Sequence, residues 1–145
     1  MATTAQWFAQ AGGNLIARLW VPQDMKVALM KDTFVPNIDV QLRFADVVAQ
    51  EVAAGGGYAA GGKSLAGKSV AYDAAANEYN LLAGDLSWGP GATFATRYGV
   101  VYEDGTTDEF LWALLDFGAL QDISNGTFLL DWGTNLLAVA AGPPV

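Results

Sequence analysis

Apolar and polar residues alternate along several short stretches of this chain, and this alternation predicts β-strands. In residues 93–102 every second side chain, from Phe94 to Tyr102, falls on one face. A turn-forming Glu-Asp-Gly follows, and residues 109–117 are the expected antiparallel partner. Both faces of that partner are apolar, so we expect it to be buried on both sides. Other strands are predicted at residues 14–20, 26–30, 70–72, 78–82, 126–132 and 136–140.

Two stretches have helical periodicity instead. Residues 39–52 carry an apolar stripe with the spacing of a helix, and Asp39 is the expected N-cap. A short helix is also predicted for residues 4–11, ended by Gly12 and Gly13. Many short strands around one main helix predict a mainly β fold. We expect a jelly-roll-like β-sandwich with one α-helical insertion near residues 39–52.

The length and composition narrow the class of protein. The 145 residues suit a single domain over 1–145. A formal net charge of -8 with only seven Lys and Arg residues argues against nucleic acid and anionic membranes as partners. The chain has no Cys and no His, which excludes thiol and imidazole chemistry and the usual zinc sites. Charged residues make up only 15% and apolar residues 52%, so we expect subunit contacts to cover part of the surface.

A glycine-rich stretch, GYAAGGKSLAGKS at residues 57–69, matches the phosphate-loop pattern G-x-x-x-x-G-K-[ST] twice. The matches end at Lys63-Ser64 and at Lys68-Ser69. A phosphate loop needs a buried strand before it and a helix after it, and here a predicted helix precedes and a predicted strand follows. We therefore predict a flexible connecting loop, in which Lys63 and Lys68 keep the protein soluble or pair with acids on a neighbour.

The sequence gives little support for other catalytic sites or for a ligand-binding site. The acids Glu103 and Asp108 could form a glycosidase pair, but they flank a turn where solvated carboxylates are common. Trp88 and Trp132 each precede a glycine at a predicted strand end. There they form a glycan-binding platform, or they pack at the rim of the sandwich or in a contact between subunits. We predict no catalytic residue, no cofactor and no metal ion.

Asp116 is the most unusual residue of the predicted strands. It shares a face with Trp112 and other apolar residues, and if it is buried it needs a partner. Arg97 on the neighbouring strand is the obvious candidate, and loss of either member of a buried pair would be strongly destabilising. The residues expected to have structural or interface roles are Tyr58, Lys63, Lys68, Trp88, Arg97, Trp112, Asp116 and Trp132.

The order of these segments resembles a group of small virion proteins of tailed phages. The similar segments are DMKVALM at 24–30, FVPN at 34–37, FADV at 44–47, Glu51-Val52, GYAAGG at 57–62 with Leu65, DLSW at 85–88, Thr93, ATRYGVVY at 95–102, DFG at 116–118, and GTF at 126–128 followed by Asp131. In the resembling proteins the glycine-rich loop usually lacks lysines. It usually carries hydroxyl residues where this chain has alanine and glycine.

The resemblance implies a β-sandwich that assembles as an oligomer on a larger capsid or tail shell. On this basis we expect a capsid decoration (cement) protein that bridges neighbouring major capsid subunits. The acidic charge fits the outer surface of the head better than its DNA-facing side, and the symmetry of phage shells suggests a homotrimer. The alternatives are a tail or head-fibre component, either an adaptor or a host-glycan-binding β-sandwich, and an enzyme.

Overall fold

The computed structural model describes residue 3 and residues 8–133 and 135–141. In these residues the chain forms one α-helix, seven strands and two short 3-10 turns. The turns are Phe44–Asp46 and Val48–Gln50. The helix α1 is Ala11–Trp20, and the strands are β1 Met25–Met30, β2 Lys63–Ser64, β3 Ser69–Asp73, β4 Glu78–Leu82, β5 Leu86–Glu103, β6 Leu111–Leu130 and β7 Leu137–Ala140.

The chain divides into two compact units, each with its own antiparallel sheet. The first unit takes its described residues from Met1–Gln23, Ala66–Gly84 and Trp132–Val145, and its sheet has the order β3-β4-β7. The second unit takes Asp24–Leu65 and Asp85–Asp131, and its sheet has the order β2-β1-β5-β6. The single domain expected for residues 1–145 stays a prediction.

In the first unit, α1 lies against β3 and buries Trp20, whose indole N–H donates to Leu82 O at 3.2 Å. Gly13 packs so closely on Tyr79 that a Cβ there would lie 2.5 Å from Tyr79 Cδ1. This contact explains why a glycine stands at position 13 inside the helix. The strand predicted for residues 14–20 is therefore wrong, and Gly12 and Gly13 do not end a helix. The helix predicted for residues 4–11 lies mostly outside the described residues.

The second unit is organised around β1, which lies between β2 and β5 and is buried almost throughout. Its residues pair antiparallel with the end of β5, from Met25 with Glu103 to Met30 with Tyr98. One apolar cluster combines Met30 of β1 and Tyr102 of β5 with Phe44 of the first 3-10 turn and Val47, which lies between the two turns. The rings of Phe44 and Tyr102 stack with centroids 4.0 Å apart.

The long hairpin of β5 and β6 is the largest element of the second unit. It confirms the predicted antiparallel pair, but the strands have 18 and 20 residues, so β6 also takes in most of the strand predicted for 126–132. The expectation that residues 109–117 are buried on both faces is wrong. β6 is an edge strand, and its residues in that range are half-buried or exposed.

The main helix predicted for residues 39–52 is also wrong, because this segment forms only the two 3-10 turns. Its end supplies hydrogen bonds to the outer side of β1: Lys31 N–H donates to Gln50 O, and Val52 N–H to Leu29 O, both at 2.9 Å. A continuous helix would withdraw these groups from the strand. The β-branched pair Val47-Val48 also weakens the helical preference.

The predicted class is otherwise confirmed: the described residues are mainly β, with two antiparallel sheets and one α-helix, consistent with a β-sandwich with a helical insertion. The predicted strands at 26–30, 70–72, 78–82 and 136–140 correspond to β1, β3, β4 and β7. The described residues form sheets of four and three strands, which differs from the eight strands of a jelly roll.

Candidate functional site

The glycine-rich loop packs tightly on the strands of the second unit. A Cβ on Gly62 would lie 1.8 Å from Val27 O of β1, and a Cβ on Gly56 would lie 2.0 Å from Thr93 O of β5. Both glycines have positive φ, +81° and +60°, which other residues adopt at a cost. Close backbone packing therefore requires glycine at positions 56 and 62. The flexible connection predicted for the stretch at 57–69 is wrong for residues 57–62, which dock on the sheet.

Tyr58 and Glu51 form the polar centre of this loop. The Tyr58 hydroxyl donates to Glu51 Oε2 at 2.6 Å and accepts from Leu29 N–H at 3.0 Å. The same carboxylate oxygen accepts from Gly61 N–H at 2.7 Å. Tyr102 of β5 completes the arrangement, because its hydroxyl donates to Gly61 O at 2.7 Å. We call these four residues, Glu51, Tyr58, Gly61 and Tyr102, the tyrosine–glutamate cluster.

The cluster favours neutral tyrosines. Burial, followed by the hydrogen bond to Glu51, raises the pKa of Tyr58 far above its ordinary value. Burial, with the charge of Asp104 as the next cause, raises the pKa of Tyr102 in the same direction. Both hydroxyls therefore stay protonated hydrogen-bond donors at about pH 10, where an ordinary tyrosine ionises. Each hydroxyl links the loop to a strand, Tyr58 to Leu29 of β1 and Tyr102 of β5 to Gly61.

Two amides of the loop and both lysine amines form hydrogen bonds within the protein. Gly61 N–H donates to Glu51 and Gly62 N–H to Ala59 O. Lys63 lies in β2, where its amine donates to Ser87 O and sits 5.4 Å from the centre of the Trp88 ring. Lys68 precedes β3 in the first unit, and its amine donates to Gln23 O. Neither lysine begins a helix, as a phosphate loop would require. Pairing of these lysines with acids on a neighbour stays a prediction.

The same loop covers the outer edge of β5 beyond the end of β1. Thr93 N–H donates to Gly56 O at 2.8 Å, and the Lys63 amine binds the carbonyl of Ser87 six residues earlier. Uncovered strand edges pair readily with other chains, and natural proteins commonly cover them with a loop. The glycine-rich loop therefore protects one edge of this sheet.

Trp88 is a core residue, only 1% exposed. Its ring packs between Tyr58, with centroids 6.4 Å apart, and Phe128, at 5.9 Å. Its indole N–H has no hydrogen-bond partner among the described residues. A buried ring cannot stack on a sugar, so packing is the role that the structure gives Trp88.

Arg97 and Asp116 form the predicted ion pair across β5 and β6, but the pair is at the surface. The side chain of Asp116 is 56% exposed and that of Arg97 is 19% exposed. Asp116 also accepts from Gly118 N–H at 2.8 Å, and the Arg97 guanidinium lies 4.4 Å from the centre of the Tyr98 ring. The hydrogen bond from Arg97, and then that from Gly118, lower the pKa of Asp116, while the Asp116 carboxylate raises the pKa of Arg97. The expectation of a buried pair is wrong.

An apolar surface lies on the segment before the 3-10 turns. The exposed fractions of Val35, Ile38, Val40 and Leu42 are 77%, 78%, 70% and 56%. We call these four residues the 35–42 surface. Beside it, an apolar groove with a volume of about 120 Å³ is lined by Phe34, Pro36, Ile38, Val47, Trp112 and Leu114, among others. The groove brings the predicted interface residue Trp112 next to this surface, and Trp112 is oriented by a 2.8 Å hydrogen bond from its indole N–H to Glu103 Oε1.

The segment that carries this surface is held in shape by side-chain hydrogen bonds. Gln41 accepts from Asn37 N–H at 2.7 Å and donates to Val35 O at 3.2 Å. Asp46 accepts from the N–H groups of Leu42 and Arg43, each at 2.9 Å. The hydrogen bonds from Arg43 and then Leu42 lower the pKa of Asp46. The apolar side chains therefore project from an ordered segment.

The eight predicted site residues do not form a single site. Tyr58, Lys63 and Trp88 meet under the glycine-rich loop, and Arg97 meets Asp116 elsewhere on the same sheet. Trp132 lies in the first unit, half-buried, with its indole N–H donating to Gly84 O at 2.9 Å. Sequence reasoning missed Glu51 as the acceptor of the loop, and no spacing rule would have found it, because its partners depend on how residues 51–62 fold back.

Two kinds of feature are absent from the described residues. No group of three or more His, Cys, Asp or Glu side chains in these ranges is arranged to hold a metal ion. No helix in the described part of the chain is long and apolar enough to cross a membrane.

Comparisons of the chain with protein-family models, curated proteins and solved structures find no match. The resemblance to phage virion proteins therefore stays a prediction.

Proposed function

We propose that this protein is a non-enzymatic capsid decoration protein of a tailed phage, which binds major capsid subunits on the outer surface of the head. The observation that carries the assembly role is the 35–42 surface with its adjoining groove. The virion setting comes from the sequence resemblance described above.

The 35–42 surface has the properties of a protein contact. Four apolar side chains, each more than half exposed, lie beside a groove that can accept a side chain of a partner. The hydrogen bonds of Gln41 and Asp46 fix the segment before any partner arrives. Such preorganisation reduces the entropy lost on binding.

The glycine-rich loop supports a structural role over nucleotide chemistry. A phosphate loop offers free amide groups at the start of a helix. Here the amides of Gly61 and Gly62 donate within the protein, and Lys63 lies in a strand. The loop segment that carries the resemblance to virion proteins is also the one that supplies Tyr58 and Gly61 to the tyrosine–glutamate cluster, as expected if the resemblance reflects a shared fold.

The partners that we propose are the major capsid protein and further copies of this chain, assembled as a trimer at symmetry axes of the shell. The net charge of -8 suits a position away from the packaged DNA. The proposal includes no nucleic acid, no membrane and no cofactor.

The first test locates the protein in virions of the phage that encodes it. Heads and tails are separated, and the 15.2 kDa chain is quantified in each fraction by mass spectrometry. We expect hundreds of copies in heads. A few copies confined to tails would contradict the proposal and favour a tail adaptor or fibre component.

The second test addresses the surface itself. The double variant Ile38→Ser/Val40→Ser is mixed with capsids that lack the protein, and binding is measured by co-sedimentation. We expect it to lose most binding, whereas the control Leu15→Ser/Leu19→Ser, which removes two exposed leucines of α1, keeps it. Equal binding by both folded variants would show that the 35–42 surface is not the contact.

A further inference from the structure

The outer edge of β6 is the longest uncovered strand edge of the second unit. β6 has 20 residues and, in the described ranges, pairs with β5 alone. Among the described residues only its start is covered, where Leu111 N–H donates to Leu42 O at 2.9 Å. An open edge of this kind presents alternate N–H and C=O groups that an extended chain can pair with.

On the other side of the sheet, by contrast, the strand edges are covered. β2 and the backbone of Gln50 and Val52 cover β1, while β1 and the glycine-rich loop cover β5. β6 has neither a Lys nor a Pro between Leu111 and Leu130, although these residues commonly block strand edges. The fold therefore protects one edge of the sheet and leaves the other open.

Within β6, residues 113–116 form the most suitable platform. They pair in unbroken register with residues 98–101 of β5, and β1 supports that part of β5 from its other side. Farther along, register shifts and the positive φ of Gly118 and Asn125 interrupt the edge. Residues 112–114 also line the groove beside the 35–42 surface, so a strand added here would run next to that surface.

Charge indicates what the edge would bind. Residues 103–131 contain seven acidic residues and no Lys or Arg: Glu103, Asp104, Asp108, Glu109, Asp116, Asp122 and Asp131. Three of these acids, Asp104, Asp108 and Asp116, form ion pairs with Lys26, Arg43 and Arg97, so the segment keeps an excess of four negative charges. Pairing with a second β6 would place this acid-only segment against itself, which like-charge repulsion opposes. No other long open edge exists among the described strands of this sheet for a second copy to offer.

We propose that residues 113–116 of β6 bind an extended segment of a different protein, in which apolar residues alternate with Lys or Arg. Backbone hydrogen bonds would extend the sheet, and the cations would face the acids around β6. This inference deepens the proposed function by naming how a capsid partner is held, and it depends on that function only for the identity of the partner.

The test uses the isolated protein and synthetic peptides. Hydrogen exchange of β6 amides is followed by NMR with the capped peptide (Lys-Val)4, with (Glu-Val)4, and with a (Lys-Val)4 analogue that has proline in place of two valines. We expect (Lys-Val)4 alone to slow exchange about tenfold at outward-facing amides of residues 112–117. The exposed Asp122→Lys substitution should weaken this protection without changing the fold.

Three outcomes would overturn the inference. Protection by (Glu-Val)4 or by the proline peptide equal to that by (Lys-Val)4 would exclude a strand with charge complementarity. No protection by any peptide would exclude the edge as a binding site. Protection without peptide, in a protein that sediments as a dimer, would assign the edge to a second copy. All three results are independent of where the protein is found in virions.

Discussion

Tyr58 and Glu51 are joined by a 2.6 Å hydrogen bond that fixes the glycine-rich loop to the sheet. Tyr58 is 3% exposed, and its hydroxyl also accepts the N–H of Leu29, so one phenol oxygen links the loop, the segment after the 3-10 turns and β1. This oxygen therefore has two partners that would lose their hydrogen bond if it were removed.

Substitution Tyr58→Phe should lower the free energy of unfolding by about 1–3 kcal/mol, because the buried N–H of Leu29 loses its acceptor. Urea unfolding followed by circular dichroism measures the change. The control Tyr72→Phe removes a hydroxyl whose bond to Asn77 is longer, at 3.3 Å, and should cost less. Equal losses in the two variants would contradict a special role for Tyr58.

Alkaline pH should destabilise the protein through Tyr58 and Tyr102. Their pKa values are raised in the folded state, so the unfolded chain releases these protons first, near pH 10, while the folded protein retains them. The stability is fully present below about pH 10 and falls above it, by up to about 1.4 kcal/mol per pH unit for each tyrosine. Urea midpoints measured between about pH 8 and 11.5 should show this slope, and Tyr102→Phe should reduce it. A slope unchanged in that variant would count against the assignment.

The substitution Gly62→Ala should prevent the loop from docking. Gly62 and Gly105 have similar φ values, +81° and +77°, so alanine meets similar backbone strain at both, about 1 kcal/mol. Only at Gly62 does the new Cβ collide with Val27 O, while Gly105 has nothing within 4 Å. Thermal melts should give a loss several times larger for Gly62→Ala, and similar losses would refute the packing role of Gly62.

Removal of the Arg97–Asp116 ion pair should have only a small effect on stability. Asp116 is more than half exposed, so water replaces its partner at little cost. We expect the melting temperatures of Arg97→Ala and Asp116→Ala to stay close to that of the wild type, with the difference shrinking further in roughly 0.5 M salt. A large loss that salt does not reduce would contradict a surface pair.

We expect the protein to show no ATP hydrolysis, with or without the two loop lysines. Lys63 and Lys68 bind carbonyl oxygens of this chain, so we expect no ATP turnover in the wild type. Phosphate release from ATP is measured for the wild type, Lys63→Ala and Lys68→Ala. Turnover in the wild type that both substitutions abolish would revive the phosphate-loop interpretation.

The sequence predicted elements well where local pattern and tertiary packing agree. The alternation in residues 93–102 and the turn after Tyr102 predicted an antiparallel hairpin that the structure contains. Residues 39–52 have helical spacing, but Gln50 and Val52 supply hydrogen bonds to β1 that a helix would withdraw. These hydrogen bonds depend on a strand that is distant in the sequence, so the local pattern of residues 39–52 could not predict them.

The sequence also predicted some features of the candidate sites and missed others. The partners Arg97 and Asp116 could be predicted because adjacent strands place them side by side, but their exposure could not, since it depends on β6 being an edge strand. The role of Glu51 was also out of reach. Its hydrogen bonds to Tyr58 and Gly61 follow from a loop path set by glycines with positive φ.

β5 lies between β6, which follows it directly in the sequence, and β1, which is far from it in the sequence. This difference in sequence separation has a consequence for the order of folding. Tyr102 pairs with Leu111 across a short turn, so the hairpin can form early and extend outward from that turn. β1 pairs with residues of β5 that are on the order of 70 positions away, and closing so long a loop is slow. The glycine-rich loop, which docks on β1 as well as β5, should therefore order late. Weakening the tyrosine–glutamate cluster should then mainly accelerate unfolding and leave the folding rate almost unchanged.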